Sequence, residues 1–241
     1  LNINSKNTTI TTMPMAYSYG LSVINTFIYS GAKIVLSEKS IFEKDFWEKV
    51  KNLKVNSISG VPEFLEFLKK LKFDKFKIYG FKYLTHAGGK LEKNIIEYFV
   101  NIAKKNNHKF YSMYGQTEAS PRMSYLECTK NLKKIGSIGK PLKGSKFLLV
   151  DEKKKIIRKS FKIGEIVYRG KNVCLGYATS IKDLYKGDIN KGNLFTGDIG
   201  YKDNQGYYYL TGRKNRISKI FGLRFNLDDI EKKLKKNNFY T

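Results

Sequence analysis

The stretch VNSISGVPEFLEFLKKL (Val55–Leu71) decides the fold of the first half of the chain. The apolar run Val55–Ile58 predicts a buried strand, and Gly60-Val61-Pro62 predicts the start of a helix because proline suits the first helical turn. The residues that follow recur at helical spacing and predict one buried helix face: Phe64, Leu65, Leu68 and Leu71. The stretch is therefore a strand that leads directly into an amphipathic helix.

The same alternation of strand and helix continues on both sides of this stretch. Further strands are predicted at Lys33–Leu36, Phe81–Leu84 and Lys109–Met113, and helices around Trp47 and over Leu91–Ala103. The helix around Trp47 is expected to bury Phe42, Phe46, Val50 and Leu53. Crossover helices between successive strands imply a parallel sheet with helices on its faces, so residues 1–137 are predicted to form an α/β subdomain.

The pattern of apolar and turn-forming residues changes near Ile138. Short apolar runs are separated by Gly, Asp and Lys turns, with strands predicted at Phe147–Val150, Glu165–Tyr168 and Tyr207–Thr211. The stretch Tyr201–Tyr207 predicts a hairpin turn. Residues 138–211 are therefore expected to form a smaller β-rich subdomain, and a helical pattern returns from Leu227 onward.

The net charge of +25 raises the question of a nucleic-acid partner. Forty of the 46 basic residues are Lys and only six are Arg, and the lysines are scattered along the whole chain. Nucleic-acid sites favour Arg for its bidentate fork and its stacking. A solvated basic surface is therefore favoured over a nucleic-acid site, which stays as the weakest hypothesis.

Cysteine content and hydropathy bound the cellular setting. Two cysteines, Cys128 and Cys174, are too few for a disulfide framework, which favours a reducing, cytoplasmic location. The longest uncharged stretch, residues 7–32, contains Pro14, Gly20, Asn25 and many hydroxyl groups, so a membrane span is not expected.

Three segments carry side chains that could bind a ligand. Tyr114-Gly115-Gln116-Thr117-Glu118 follows a predicted strand, where open α/β sheets bind ligands, but alone it is more typical of an ordinary loop. Thr196-Gly197-Asp198 offers a carboxylate for two vicinal hydroxyls, or simply an Asp in a turn. Gly212-Arg213 supplies a permanent cation or an ordinary surface Arg.

The order of these segments is more specific than any one of them. In sequence they are MPMAYSYGL (Met13–Leu21), AGG (Ala87–Gly89), YGQTE (Tyr114–Glu118), GEIVYRGKNVCLGY (Gly164–Tyr177), FTGD (Phe195–Asp198) and GRKNRISKIFGLRFNLDDIE (Gly212–Glu231). Together they resemble the adenylate-forming superfamily of acyl-CoA synthetases, peptide-synthetase adenylation domains and luciferases. The resemblance covers nearly the whole chain and implies the fold of part of that superfamily's large domain.

The resemblance implies a nucleotide site built from loop residues: Gly88, Gly89, Tyr114, Gly115, Thr117, Asp198 and Arg213. It implies that Tyr114 stacks on adenine, that Thr117 contacts phosphate and that Glu118 holds Mg²⁺. Asp198 would bind the ribose hydroxyls, with Arg213 close to ribose and phosphate.

The resemblance also implies a C-terminal lid. Asn215 falls at the family's hinge position, so residues 212–216 are expected to form a hinge and residues 217–241 the start of a lid. Lys219 and Gly222 match the segment that faces the active site in the thioester-forming step. The catalytic set implied by the resemblance is Thr117, Glu118, Arg213 and Lys219.

The implied activity is ATP-dependent conversion of a carboxylic acid to an acyl-adenylate. The acceptor of the acyl group would be coenzyme A or the phosphopantetheine of an acyl carrier protein. The segment Met13–Leu21 has no acidic residue, unlike amino-acid-activating relatives, which disfavours an α-amino acid substrate.

Two family motifs are not found in this sequence. These are the phosphate loop that precedes the MPMAYSYGL region and the catalytic Lys near the family's C-terminus. We therefore expect the chain to be the middle of a larger ligase. The alternative is a truncated chain or pseudoenzyme that binds nucleotide at most.

The two histidines are expected to have no chemical role. His86, which precedes Ala87-Gly88-Gly89, is predicted to be a packing or surface histidine rather than part of the pocket. His108 lies among Lys and Asn residues and is predicted to be in solvent.

Overall fold

The computed structural model describes residues 2–220, 223–227, 231 and 234, with side chains described at residues 2–216, 227, 231 and 234. The chain forms two compact units, Leu1–Leu142 (unit 1) and Lys143–Thr241 (unit 2). Unit 1 contains mixed helices and strands, whereas the described part of unit 2 consists of strands and short 3₁₀ turns up to Asn226, with helical backbone at Leu227, Glu231 and Leu234.

Unit 1 is built on a seven-stranded sheet in the order β2-β1-β3-β4-β5-β6-β7. The strands are β1 (Thr8–Ile10), β2 (Lys33–Val35), β3 (Ser57–Gly60), β4 (Tyr83–His86), β5 (Lys109–Gly115), β6 (Arg122–Glu127) and β7 (Lys140–Pro141). Strands β1 to β5 are parallel, while β6 and β7 are antiparallel to their neighbours. The predicted α/β class with a parallel sheet is confirmed, and two antiparallel strands extend that sheet.

Four helices flank this sheet: α1 (Ser18–Tyr29), α2 (Lys44–Asn52), α3 (Pro62–Lys70) and α4 (Lys93–Lys105). Pro62 occupies the first turn of α3, as its fixed φ predicts. The predicted stripe of α3 is buried at Phe64, Leu65 and Leu68. The helix predicted around Trp47 is α2, but Phe42 precedes it and Leu53 follows it, so both side chains are exposed rather than buried.

Helix α1 was not predicted. It packs against the residues that follow β4. Tyr19, Val23 and Phe27 recur every four residues and form a buried stripe with Ala87. Burying an apolar side chain of this size stabilises the fold by about 1.5–3 kcal/mol. The beginning of α1 is thereby fixed beside the loop that follows β4.

Unit 2 contains an antiparallel sheet in the order β11-β10-β9-β8. Its strands are β8 (Lys146–Val150), β9 (Gly164–Arg169), β10 (Asn193–Lys202) and β11 (Tyr208–Arg213). The turn predicted at Tyr201–Tyr207 lies between β10 and β11. A second pair, β12 (Ile217–Ile220) and β13 (Leu223–Asn226), follows. Across the described ranges of both units, no helix is long and apolar enough to cross a membrane.

Candidate functional site

The YGQTE segment lies at the carboxyl end of β5. Strand β5 ends at Gly115, and a single 3₁₀ turn over Thr117–Ala119 follows. The Oγ1 atom of exposed Thr117 lies 3.0 Å from the Oγ atom of Ser18, at the start of α1. Two segments that are distant in sequence therefore meet at the edge where parallel strands present their carboxyl ends.

Gly115 is required by the close approach of two strands. The pairing of β5 with β6 shifts register between Tyr114 and Gly115, and Gly115 pairs with Arg122. A Cβ atom on Gly115 would overlap the carbonyl oxygen of Pro121. The missing side chain therefore lets β6 close over the end of β5, which leaves Tyr114 half-buried and Glu118 on the turn beyond it.

The loop after β4 turns sharply beside α1 and α3. Gly88 has φ of +89°, a backbone conformation that residues with a side chain rarely adopt. A Cβ atom there would lie 2.8 Å from the hydroxyl oxygen of Tyr17 and 3.2 Å from a methyl carbon of Val61. At Gly89 the Cβ would meet Pro62 at 3.0 Å. Tyr17 and Val61 therefore wall the space next to Gly88.

A chain of buried hydroxyl groups supports this edge, and sequence reasoning missed it. The Tyr19 hydroxyl lies 2.9 Å from Oγ1 of Thr85, which donates to Oγ of Ser59 at 2.8 Å. All three side chains are buried, and burial raises the pKa of the Tyr19 hydroxyl. The chain joins α1 to β4 and β3. Its only sequence signal was a Ser and a Thr that directly follow the predicted strands Val55–Ile58 and Phe81–Leu84.

His86 and His108 are both buried, so packing, one of the two roles predicted for His86, is confirmed, and the prediction of solvent exposure is wrong for His108. The ring of His86 stacks on Phe110 at 5.6 Å, and His108 meets the edge of Phe81 at 5.1 Å. Burial lowers the pKa of each imidazole to about 4, so both are neutral at pH 7.

In unit 2 the structure brings together Asp198 and Arg213. They face each other on β10 and β11, and Nε of Arg213 donates to Oδ1 of Asp198 at 3.0 Å. The Asp198 side chain is 4% exposed, whereas that of Arg213 is 59% exposed. The backbone N–H of Asp198 donates to Oγ1 of Thr196, which in turn donates to the carbonyl of Ile166. The ion pair with Arg213 therefore holds the carboxylate, and Thr196 holds the backbone that carries it.

The segment after Arg213 is described only in part. Asn215, at the predicted hinge, lies in a 3₁₀ turn over Lys214–Arg216. Lys214 forms an ion pair with Glu165 at 3.0 Å. Lys219 lies in β12, but its side chain lies outside the described residues, as does the whole of Gly222.

Comparison with known proteins adds to this geometry. A curated relative, 2-succinylbenzoate–CoA ligase of Bacillus cereus, is 32% identical over 207 residues, which are 85% of this chain and 41% of that protein. The enzyme of the same name from Oceanobacillus iheyensis is 29% identical over 90% of this chain and 43% of its own length. The chain therefore spans about two fifths of the length of these relatives.

Solved structures share the fold. The o-succinylbenzoate CoA synthetase of Bacillus subtilis, in complex with its acyl-adenylate intermediate, superposes with a TM-score of 0.82 at 23% identity, over 98% of this chain and 47% of that one. The same enzyme in complex with ATP and magnesium ion gives a TM-score of 0.78 over 94% of this chain.

The family model described as AMP-binding enzyme matches residues 1–178, about three quarters of the chain. That span contains the YGQTE turn and the loop with Gly88 and Gly89. The resemblance inferred from the ordered motifs is thereby confirmed, and the chain belongs to the family of AMP-binding enzymes.

Proposed function

We propose that the protein to which this chain belongs activates a carboxylic acid with ATP and then transfers the acyl group to the thiol of coenzyme A. The observation that carries this proposal is the position of the YGQTE turn at the carboxyl end of β5, held against α1 by Ser18 and Thr117. The relatives named as CoA ligases support the same reaction class. The alternative of a non-catalytic chain finds no support in those names.

The unit 1 residues would bind the adenine and phosphate ends of the nucleotide. Tyr114 is half-buried beside the register shift of β5 and β6, and it offers a ring face for adenine. The exposed Thr117 offers a hydroxyl for phosphate. Because Gly88 and Gly89 have no side chains, a ligand could approach their backbone beside Tyr17, Val61 and Pro62.

Glu118 would hold Mg²⁺. It is half-buried on the same turn as Thr117, and within the described part of the chain no three His, Cys, Asp or Glu side chains cluster as a metal site. This fits Mg²⁺, which typically uses one or two carboxylates together with substrate phosphates and water. When bound, the ion would supply charge stabilisation for the phosphates of ATP during transfer of the adenylyl group.

The unit 2 residues would bind the ribose. A buried carboxylate can accept hydrogen bonds from two vicinal hydroxyls, and Asp198 is buried and oriented by its neighbours. Arg213 would add a permanent positive charge for ribose and phosphate oxygens.

The first half-reaction would be an in-line substitution at the α-phosphorus atom. A carboxylate oxygen of the acid forms the new P–O bond, and pyrophosphate leaves with the electron pair of the broken bond. In the second half-reaction the thiol sulfur attacks the acyl carbon, AMP leaves, and the thiol proton passes to solvent. The chain contributes mainly by positioning the reactants and by stabilising charge.

Three finer parts of this function also remain proposals. Residues 212–216 would act as the hinge between the half-reactions, with Lys219 facing the site in the second. An acyl carrier protein is the alternative thiol donor. The cytoplasm is the proposed location because the chain has only two cysteines, which suits a reducing compartment.

The test is release of pyrophosphate by the full-length protein with ATP, Mg²⁺ and a panel of carboxylic acids. The names of the relatives make 2-succinylbenzoate the first acid to assay. Glu118→Gln should lower the rate by at least about 100-fold, on the scale of losing one charge-stabilising group. Glu66→Gln, at an exposed acid on α3, is the matched control. No pyrophosphate release with any acid would contradict the proposal.

A further inference from the structure

A second concave site lies in unit 2. A depression of about 630 Å³ is formed where β8 begins, where β9 ends and where the chain enters β10. Four basic side chains line it, Lys146, Arg169, Lys171 and Lys191, with Asp188 as the single acidic one. The volume falls within the range of small-molecule sites.

The residues that line this depression leave it with a net positive charge. Lys146 and Arg169 are directly opposite each other on β8 and β9. Like charges in that arrangement destabilise a sheet. None of the four basic side chains has an ion-pair partner in the part of the chain that the structure describes. Asp188 instead accepts a hydrogen bond at 2.7 Å from the backbone N–H of Lys191.

The frame that carries these charges is fixed by hydrogen bonds. The backbone N–H of Gly170 donates to the carbonyl of Gly192 at 3.0 Å, which ties the end of β9 to the entry of β10. The Tyr168 hydroxyl donates to Oδ1 of Asn172 at 2.8 Å and braces the turn that contains Lys171. The cations therefore extend from a rigid concave wall.

We propose that this depression is a phosphate-binding site for a small ligand that carries two or more phosphate groups. An anion with several charges would relieve the repulsion between Lys146 and Arg169, and the Arg fork matches phosphate oxygens bidentately. This site goes beyond the proposed function because it uses none of the residues assigned to nucleotide activation. Free pyrophosphate and the phosphates of coenzyme A share the required chemistry.

The test is calorimetric titration of the full-length protein with three probes: pyrophosphate, coenzyme A and 3′-dephospho-coenzyme A. The double variant Arg169→Gln/Lys191→Gln removes two cations from the depression. The control Lys153→Gln/Lys182→Gln removes two exposed lysines elsewhere in unit 2. Thermal unfolding without ligand verifies that both variants are folded, and Arg169→Lys, which keeps the charge but loses the fork, replaces the double variant if it is not.

Loss of two charge-assisted contacts should weaken binding of at least one probe by about tenfold or more, while the control changes by less than about twofold. Weaker binding of all three probes assigns the site to a pyrophosphate group, free or within coenzyme A. Weaker binding of coenzyme A alone assigns it to the 3′-phosphate. Unchanged affinity for every probe, or an equal loss in the control, would overturn the proposal.

Discussion

The candidate residues in the two units are brought together in different ways. In unit 1, Ser18 and Thr117 are 99 residues apart in sequence and meet only after α1 and β5 are both in place. In unit 2, Asp198 and Arg213 are 15 residues apart and face each other within one antiparallel pair. Non-local contacts require more of the fold to form before they are gained. The unit 1 arrangement therefore depends on the whole sheet, and the unit 2 arrangement depends mainly on one hairpin.

The largest expected effect tests whether the local pair is also the more important one for activity. Asp198→Ala removes the buried carboxylate and should lower kcat/KM for ATP by about 100-fold or more, because a preorganised polar group is lost from the site. Arg213→Ala should have a smaller effect, since its side chain is largely exposed. Pyrophosphate-release kinetics measure both, with Glu152→Ala as the control.

If Arg213→Ala proves more harmful than Asp198→Ala, the buried carboxylate is not the central element of the unit 2 arrangement. The double variant sharpens the result, because the coupling energy between two residues in contact appears as a departure from additivity.

The second prediction concerns the pH dependence of stability that arises in unit 1. Both histidines lie in unit 1, and burial lowers the pKa of His86 to about 4 from an ordinary value of 6.5. Between pH 6.5 and 4, His86 is protonated in the unfolded chain but neutral in the folded chain. The free energy of unfolding should therefore fall as the pH drops from 6.5 towards 4. For His86 the full loss is about 3 kcal/mol.

Chemical denaturation followed across this pH window measures the loss. His86→Leu should remove its share of the pH dependence, whereas His108→Leu should leave that share in place. A His86→Leu protein that is as acid-sensitive as the wild type would show that His86 is already protonated or relaxed in the fold.

The third effect compares two crowded glycines. Gly115→Ala in unit 1 and Gly200→Ala in unit 2 both place a Cβ against a carbonyl oxygen, that of Pro121 or Tyr209. Overpacking of this kind costs about 1–3 kcal/mol. Because the unit 1 arrangement depends on its whole sheet, Gly115→Ala should lower amide-exchange protection across unit 1. Gly200→Ala should lower amide-exchange protection only within unit 2.

Exchange measured by mass spectrometry distinguishes the two patterns, and Ala178→Ser, at an exposed position, serves as the control. If Gly115→Ala lowers protection only in β5 and β6, unit 1 also responds locally. The claim that its arrangement depends on the whole sheet would then be wrong.

The smallest expected effect concerns the long-range contact itself. Ser18→Ala removes the hydrogen bond to Thr117, and because both groups are exposed the cost in stability should be only about 0.5 kcal/mol. The position of the Thr117 hydroxyl should still change, so KM for ATP should rise by a few-fold. Ser18→Thr, which retains a hydroxyl, should restore the wild-type value. A rise in KM that Ser18→Thr fails to reverse would point to a steric cause.

Sequence reasoning succeeded where hydrophobic periodicity was strong. The strand–helix unit from Val55 to Leu71 and the helix α4 were predicted close to their observed positions. The strand β1 was missed because its residues, Thr8-Thr9-Ile10, are mostly polar although all three are buried between neighbouring strands. Helix α1 was missed because it lacks charged residues and a side-chain N-cap.

The site was predictable as a set of loop residues but not as a set of contacts. The motifs placed Thr117 and Glu118 after a strand, and the structure puts them there. The bond from Thr117 to Ser18 depends on tertiary placement, which spacing does not encode. The ion pair from Arg213 to Asp198 depends on the register of the β10–β11 pair, which the predicted turn did not fix. The burial of His108 was missed for the same reason, since its cover comes from Phe81, 27 positions earlier.

The hydroxyl chain of Tyr19, Thr85 and Ser59 has a practical consequence for redesign of this protein. Tyr19→Phe would leave the bond between Thr85 and Ser59 intact, whereas Thr85→Val would remove both bonds at once. The middle member is therefore the least replaceable of the three. A library that aims to reshape the space beside Gly88 should vary Tyr17 and Val61 and keep Thr85 constant, because the side chains around that space can then change while the hydrogen bonds that join α1 to β4 and β3 remain.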